Sequence, residues 1–183
     1  MSLVFWHPRL LVGGMCHYML PGRTRETHNA QRTAGSLDGR YADEALALML
    51  EEIRTCGTQL REYQVKMFGG GNMFPGISRV DGNHVGTKNV LAARELMRRH
   101  GINPISEHVE GSGHRNLIFD VSSGHVALRH LSLGQSGADV IAINPAARRN
   151  VAKPPTFLPQ FVYGATMGAT RGAPAAIGRL LAE

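Results

Sequence analysis

His17 is the side chain of this sequence best suited to proton transfer. It lies near the end of an alternating apolar run, Gly13-Gly14-Met15-Cys16-His17-Tyr18-Met19-Leu20, which Pro21-Gly22 closes with a turn. The two glycines predict close passage of another backbone. An imidazole both takes and gives a proton near neutral pH, and the cysteine beside it suggests thiol chemistry. Strand alternation opposes that pairing: neighbouring residues point to opposite faces, so Cys16 and His17 cannot act together as nucleophile and base. Cys56, the other cysteine, falls at the end of a predicted helix immediately before Gly57, a packing position. Any thiol serving His17 must come from elsewhere. Taken alone, a histidine on a half-buried strand reads first as a hydrogen-bonded structural residue; the motif around it changes that reading.

The string resembles the signature of the chemoreceptor glutamine deamidases, the CheD family, a Gly-Gly-x-x-His-x-Met-Leu-Pro segment whose histidine is catalytic and is His17 here. The resemblance continues in collinear order through Tyr41-Ala42-Asp43, Lys66-Met67-Phe68-Gly69-Gly70-Gly71-Asn72-Met73-Phe74 and Val85-Gly86-Thr87-Lys88-Asn89. It ends with Phe119-Asp120-Val121 and Val126-Ala127-Leu128-Arg129, so that it spans residues 3 to 131. It implies an α/β layered sandwich with a mixed β-sheet and two main helices, and no metal or organic cofactor. It also implies deamidation of protein glutamines. A thiolate paired with His17 attacks the carboxamide, the imidazolium protonates the departing ammonia, and water hydrolyses the thioester to leave glutamate. The implied partners are the cytoplasmic helices of methyl-accepting chemoreceptors and a CheC-type phosphatase.

One departure accompanies the match. The family's nucleophilic cysteine lies in a Gly-Ser-Cys segment about 17 residues before the histidine, with a threonine a few residues earlier that orients the imidazole. Counting back from His17 runs past Met1, and Ser2-Leu3-Val4-Phe5-Trp6 corresponds to the strand after the cysteine. The expectation is a CheD-like domain over residues 1–131 that lacks its first strand or strands, catalytically incompetent as written, with a sheet edge exposed by the loss. The alternative is a non-catalytic member that keeps a surface for receptors or a CheC-type partner.

Composition sets outer limits. The chain has 183 residues, 43% hydrophobic and 19% charged, enough for one well-buried domain and a tail but hardly for two domains. No apolar run is long enough to cross a bilayer, and two cysteines without CxxC spacing favour a reducing, cytoplasmic setting. The formal charge of +6 admits nucleic-acid binding as a further class. The charges are scattered, however, and at 6% aromatic residues the chain has few platforms for stacking bases.

The elements that would hold His17 follow from periodicity. Residues 3 to 20 read as two strands joined through His7-Pro8-Arg9. Residues 21 to 40 read as a long loop, either folded towards His17 or simply on the surface. Leu46, Met49, Leu50 and Ile53 recur at helical spacing and predict a helix over 43–56. A strand over 63–68 runs into the turn Gly69-Gly70-Gly71-Asn72, where a tight backbone approach is favoured over phosphate binding. A second helix is expected over 87–100, and the family resemblance implies a buried hydrogen-bonding role for Asn89 on it. Residues 104–109 are extended, and 116–121 pairs with 125–131 through Ser122-Ser123-Gly124. His108, His114, His125 and His130 follow no metal-ligand spacing and read as surface histidines. Residues 132–183 form a Gly-, Ala- and Pro-rich C-terminal extension with strand-like patches at 140–143 and 157–163 and a weak helical tendency over 173–181.

Overall fold

The computed structural model describes residues 1–23, 37–73 and 84–131 together with three strands within 138–143, 161–163 and 179–180. In order, β1 (Ser2–His7) and β2 (Val12–His17) form a hairpin, followed by helix α1 (Ala42–Thr55), a 3₁₀ turn (Leu60–Glu62) and β3 (Gln64–Gly69). Helix α2 (Val85–Arg99) precedes β4 (Ser106–Val109), and the hairpin of β5 (His114–Asp120) and β6 (His125–Leu131) follows. Three further strands are β7 (Ala138–Ile143), β8 (Phe161–Tyr163) and β9 (Arg179–Leu180).

Two sheets result. The first has the order β4-β3-β1-β2-β8 and is mixed: β1 is antiparallel to β2 and β3, whereas β3/β4 and β2/β8 are parallel. The second, β7-β6-β5-β9, is antiparallel throughout. Side chains alternate faces along a strand, so the first sheet feeds two cores. Leu3, Phe5, Cys16, Val65 and Met67 pack against Ala42, Leu46, Met49 and Ile53 of α1 and Val90, Ala93 and Met97 of α2. On the opposite face Val4, Trp6, Met15 and Phe68 meet Leu117, Phe119, Val126 and Leu128 of the second sheet. The molecule is therefore layered as helices, mixed sheet and antiparallel sheet, the α/β sandwich expected.

Several expectations need correction. β1 lies in the middle of its sheet with partners on both sides, so no edge is exposed there; the edge strands are β4 and β8. Arg179–Leu180, placed in a weak helix by composition, is a strand paired with Leu117 and Ile118, because an open sheet edge offers backbone partners that outweigh local propensity. α2 begins two residues earlier than periodicity indicates, at Val85, with His84 as its N-cap accepting from the Thr87 N–H. Most of the loop over 21–40 and residues 173–178 lie outside the described residues.

Candidate functional site

The β1–β2 hairpin places His17. Its turn is held by His7, buried, whose Nδ1 accepts from the backbone of Arg9 and Leu10, and by the Leu11 N–H donating to His7 O at 2.9 Å. Counting from that turn, the register sets Ser2 opposite His17. Met1 and Tyr18, one step further, exchange both backbone hydrogen bonds at 2.9 Å. Ser2 and His17 are thus a non-hydrogen-bonded pair, the kind whose side chains lie closest. Ser2 Oγ is 2.9 Å from His17 Nδ1. With Nδ1 engaged, Nε2 is the ring nitrogen left for chemistry, and when Nδ1 carries the proton, Nε2 presents its lone pair. Burial, and secondarily the positive amino terminus, lowers the His17 pKa to about 4. The ring is therefore neutral at pH 7 and able to accept a proton.

Ser2 is a residue that reasoning from sequence missed, although its parity with Val4 and Trp6 and the position of the turn were enough to set it against His17. A row crosses four of the five strands of the first sheet on this face: His17, Ser2, Phe68 and His108, on β2, β1, β3 and β4.

The thiols lie elsewhere. Cys16 is fully buried in the helix-side core, where burial pushes its pKa up to about 12. Cys56 caps the end of α1, and its pKa is likewise raised, by burial and by Glu52. Neither faces His17, as strand alternation and helix position anticipated.

The backbone beyond His17 is fixed by α2. Asn89, 5% exposed, donates through Nδ2 to Met19 O at 2.8 Å, and its own carbonyl accepts from Tyr18 Oη at 2.8 Å. This is the buried hydrogen-bonding role expected of Asn89. The start of α2 reaches this position because Gly86 packs directly on Gly70, where an added Cβ would lie 2.5 Å from Gly70 O. Gly70 itself has φ +69° and sits against Val90. The Gly-rich turn after β3 is thus the tight backbone approach that was favoured for it.

A polar cluster closes the His108 end of the row. Arg115, on the inward face of β5, donates through Nε to His108 Nδ1 at 2.8 Å and through Nη2 to Glu110 O. The rings of His108 and His130 meet edge to face, with centroids 5.2 Å apart, and His130 Nε2 lies 2.8 Å from Ser112 O. His108 and His130 are therefore not scattered surface histidines. Arg115 was missed because the hairpin was started at Asn116, although Arg115 alternates in phase with Leu117 and Phe119. Among the described residues no group of three or more His, Cys, Asp or Glu side chains is arranged to hold a metal ion.

Comparison with known proteins now bears on this arrangement. The family described as "CheD chemotactic sensory transduction" matches residues 19–130. A relative from Pseudomonas fluorescens (strain SBW25), described as a probable chemoreceptor glutamine deamidase CheD, is 42% identical over 147 residues, covering 80% of this chain and 79% of its own. The chain belongs to the CheD family. A CheD 2 protein of Albidiferax ferrireducens, also described as a probable chemoreceptor glutamine deamidase, is 46% identical over 125 residues, 68% of this chain and 69% of its own. A third relative, from Pseudomonas savastanoi pv. phaseolicola, is 44% identical over 131 residues and covers 70% of each chain. The CheD family match begins two residues beyond His17, so the geometry at His17 stands as independent information.

Proposed function

We propose that this CheD protein belongs to the chemotaxis machinery as a protein-glutamine deamidase acting on chemoreceptors, with His17 as its general base and acid. The observation that carries the role of His17 is its contact with Ser2: a neutral, half-buried imidazole whose Nδ1 is held 2.9 Å from a hydroxyl, leaving Nε2 for proton transfer. The relatives' names, given above, support the substrate class. In the reaction a thiolate attacks the glutamine carboxamide carbon, the C–N bond breaks as His17 returns a proton to the leaving ammonia, and water cleaves the thioester to glutamate.

The polypeptide 1–183 is proposed to be inactive by itself, since its two cysteines lie away from His17. In that form it acts as a binding protein for the cytoplasmic helices of methyl-accepting chemoreceptors, with a CheC-type phosphatase as a further partner and the cytoplasm as its compartment. No described helix is long and apolar enough to cross a membrane. A nucleic-acid role loses support from the ion pairs, because Arg23, Arg40, Arg94, Arg98 and Arg99 each meet an Asp or Glu.

Ammonia release from receptor cytoplasmic fragments, with mass spectrometry of the glutamines, tests this reading. Polypeptide 1–183 is expected to bind the fragments without turnover. A gene product extended upstream in frame through a Gly-Ser-Cys segment should deamidate them, and His17→Ala in that product should abolish turnover. Full activity of His17→Ala would remove His17 from the mechanism, and turnover by 1–183 would refute its inactivity.

A further inference from the structure

We propose that Arg115, backed by His108, forms a carboxylate-binding subsite on the His17 side of the sandwich and takes up an acidic side chain that flanks the target glutamine of the substrate protein. The identity of the substrate rests on the deamidase reading; the subsite rests on the geometry.

Arg115 is 7% exposed, and its two described acceptors are both neutral. Accepting from the Arg115 Nε–H requires an unprotonated Nδ1, so His108 is uncharged. Burial first, and the guanidinium second, hold the His108 pKa below its usual value. The other acceptor is the Glu110 backbone carbonyl. A guanidinium carries five N–H donors in a planar fork suited to carboxylates, and no described residue accepts from Nη1. That nitrogen lies beside Gly71, where an added Cβ would sit 2.8 Å away.

Elsewhere the chain treats its arginines differently. Arg23, also largely buried, meets Glu44 and Asp38, and the more exposed Arg94 meets Glu107 and Glu110. Arg115 is buried, yet no carboxylate among the described residues is paired with it. Removing a cation from water without a counter-charge is costly, and an apolar side chain would fill an inward position beside Leu117 and Phe119 more cheaply. A carboxylate arriving with a ligand offsets that cost.

The position suits a flanking residue. His108 ends the row that begins at His17, three strand spacings away or roughly 14 Å between Cα atoms. Arg115 reaches His108 from the second sheet. Its charge is also felt at the amino end of β1: burial chiefly, and Arg115 in part, bring the Met1 ammonium pKa down to about 5. On a helical substrate a carboxylate two turns from the target glutamine lies about 11 Å along the axis. The glutamate and arginine side chains span the remainder.

Three helical peptides test the proposal against the full chain by fluorescence anisotropy. The first carries one glutamine and, two turns on, a glutamate; the second has glutamine in place of that glutamate; in the third the target glutamine is already glutamate while the flanking residue is neutral. Wild type is expected to bind the first about tenfold more tightly than the second, in line with a charge-assisted bidentate contact. Arg115→Met should bind both equally, and Arg115→Lys should keep part of the preference because it retains charge but not the fork. Equal affinities for the two peptides on wild type, or the same preference on Arg115→Met, would overturn the subsite. A preference of wild type for the third peptide over the second, lost in Arg115→Met, would assign the subsite to the product carboxylate and overturn the flanking assignment. If Arg115→Met fails to fold, the peptide comparison on wild type and Arg115→Lys decides. The deamidase reading fails separately, if the upstream-extended protein binds the first peptide but releases no ammonia from it.

Discussion

The two faces of the first sheet are built from the same strands and differ in what they tolerate. The face under the helices is lined by Leu3, Phe5, Cys16, Val65 and Met67, with no charged side chain among them. The face towards the second sheet carries Val4, Trp6, Met15 and Phe68, but also Ser2, His17 and a buried Lys66 whose Nζ donates to Gly124 O at 2.8 Å. Within a helix most carbonyls are already taken by its own N–H groups, whereas a second sheet brings turns whose backbone carbonyls lie open at its ends, and those carbonyls satisfy polar groups. Reactive groups can therefore be housed on one face while the other supplies the stability.

Exchanging side chains between these environments gives the largest expected effect. Phe5→Ala should cost about 3–5 kcal/mol, read as a lower urea midpoint, while Lys66→Met should cost less, about 1–3 kcal/mol, the penalty of leaving the buried Gly124 carbonyl without its donor. A loss at Lys66→Met as large as that at Phe5→Ala would erase the contrast between the faces.

A smaller effect follows from His17. Its folded-state pKa, about 4, lies below the ordinary 6.5. Between those values the unfolded chain binds a proton that the folded chain excludes, so stability rises with pH across that window and is lost as pH falls through it. At full effect the difference approaches roughly 3 kcal/mol. Urea midpoints measured at pH 4 and pH 7 should therefore diverge more for wild type than for His17→Phe; identical divergence would place the acid sensitivity elsewhere.

The smallest stability effect is expected at Ser2. Ser2→Ala should cost about 1 kcal/mol, the net worth of one hydrogen bond, but should change the nitrogen-15 shifts of the His17 ring as the hold on Nδ1 is released. Unchanged shifts would mean that the imidazole is oriented by something other than the hydroxyl.

Much of this arrangement was legible in the sequence, and the rest was not, for identifiable reasons. Alternation alone separated Cys16 from His17, and the apolar spacing of Leu46, Met49 and Ile53 placed α1. The pairing of 125–131 with the strand before it followed from the Ser122-Ser123-Gly124 turn. Contacts between layers were the difficulty. His108 meets Arg115 and His130 only because β4 of one sheet lies under β5 and β6 of the other, a relation that no local period encodes. β9 was missed because two residues carry too little pattern to outweigh the Ala- and Gly-rich sequence before them. The role of His17 came from resemblance, and strand register then supplied its neighbour.

Trp6 is the single tryptophan of the chain, and it lies wholly within the contact between the two sheets. Its indole N–H donates to Val121 O at 2.8 Å, and its ring covers Gly124 so closely that a Cβ there would fall 2.2 Å from it. The protein thus carries an intrinsic optical probe blind to the helical layer. Emission from Trp6 reports the docking of the sheets, while far-ultraviolet ellipticity is dominated by α1 and α2. Any separation of the two signals along a denaturation curve would show the layers parting one after the other.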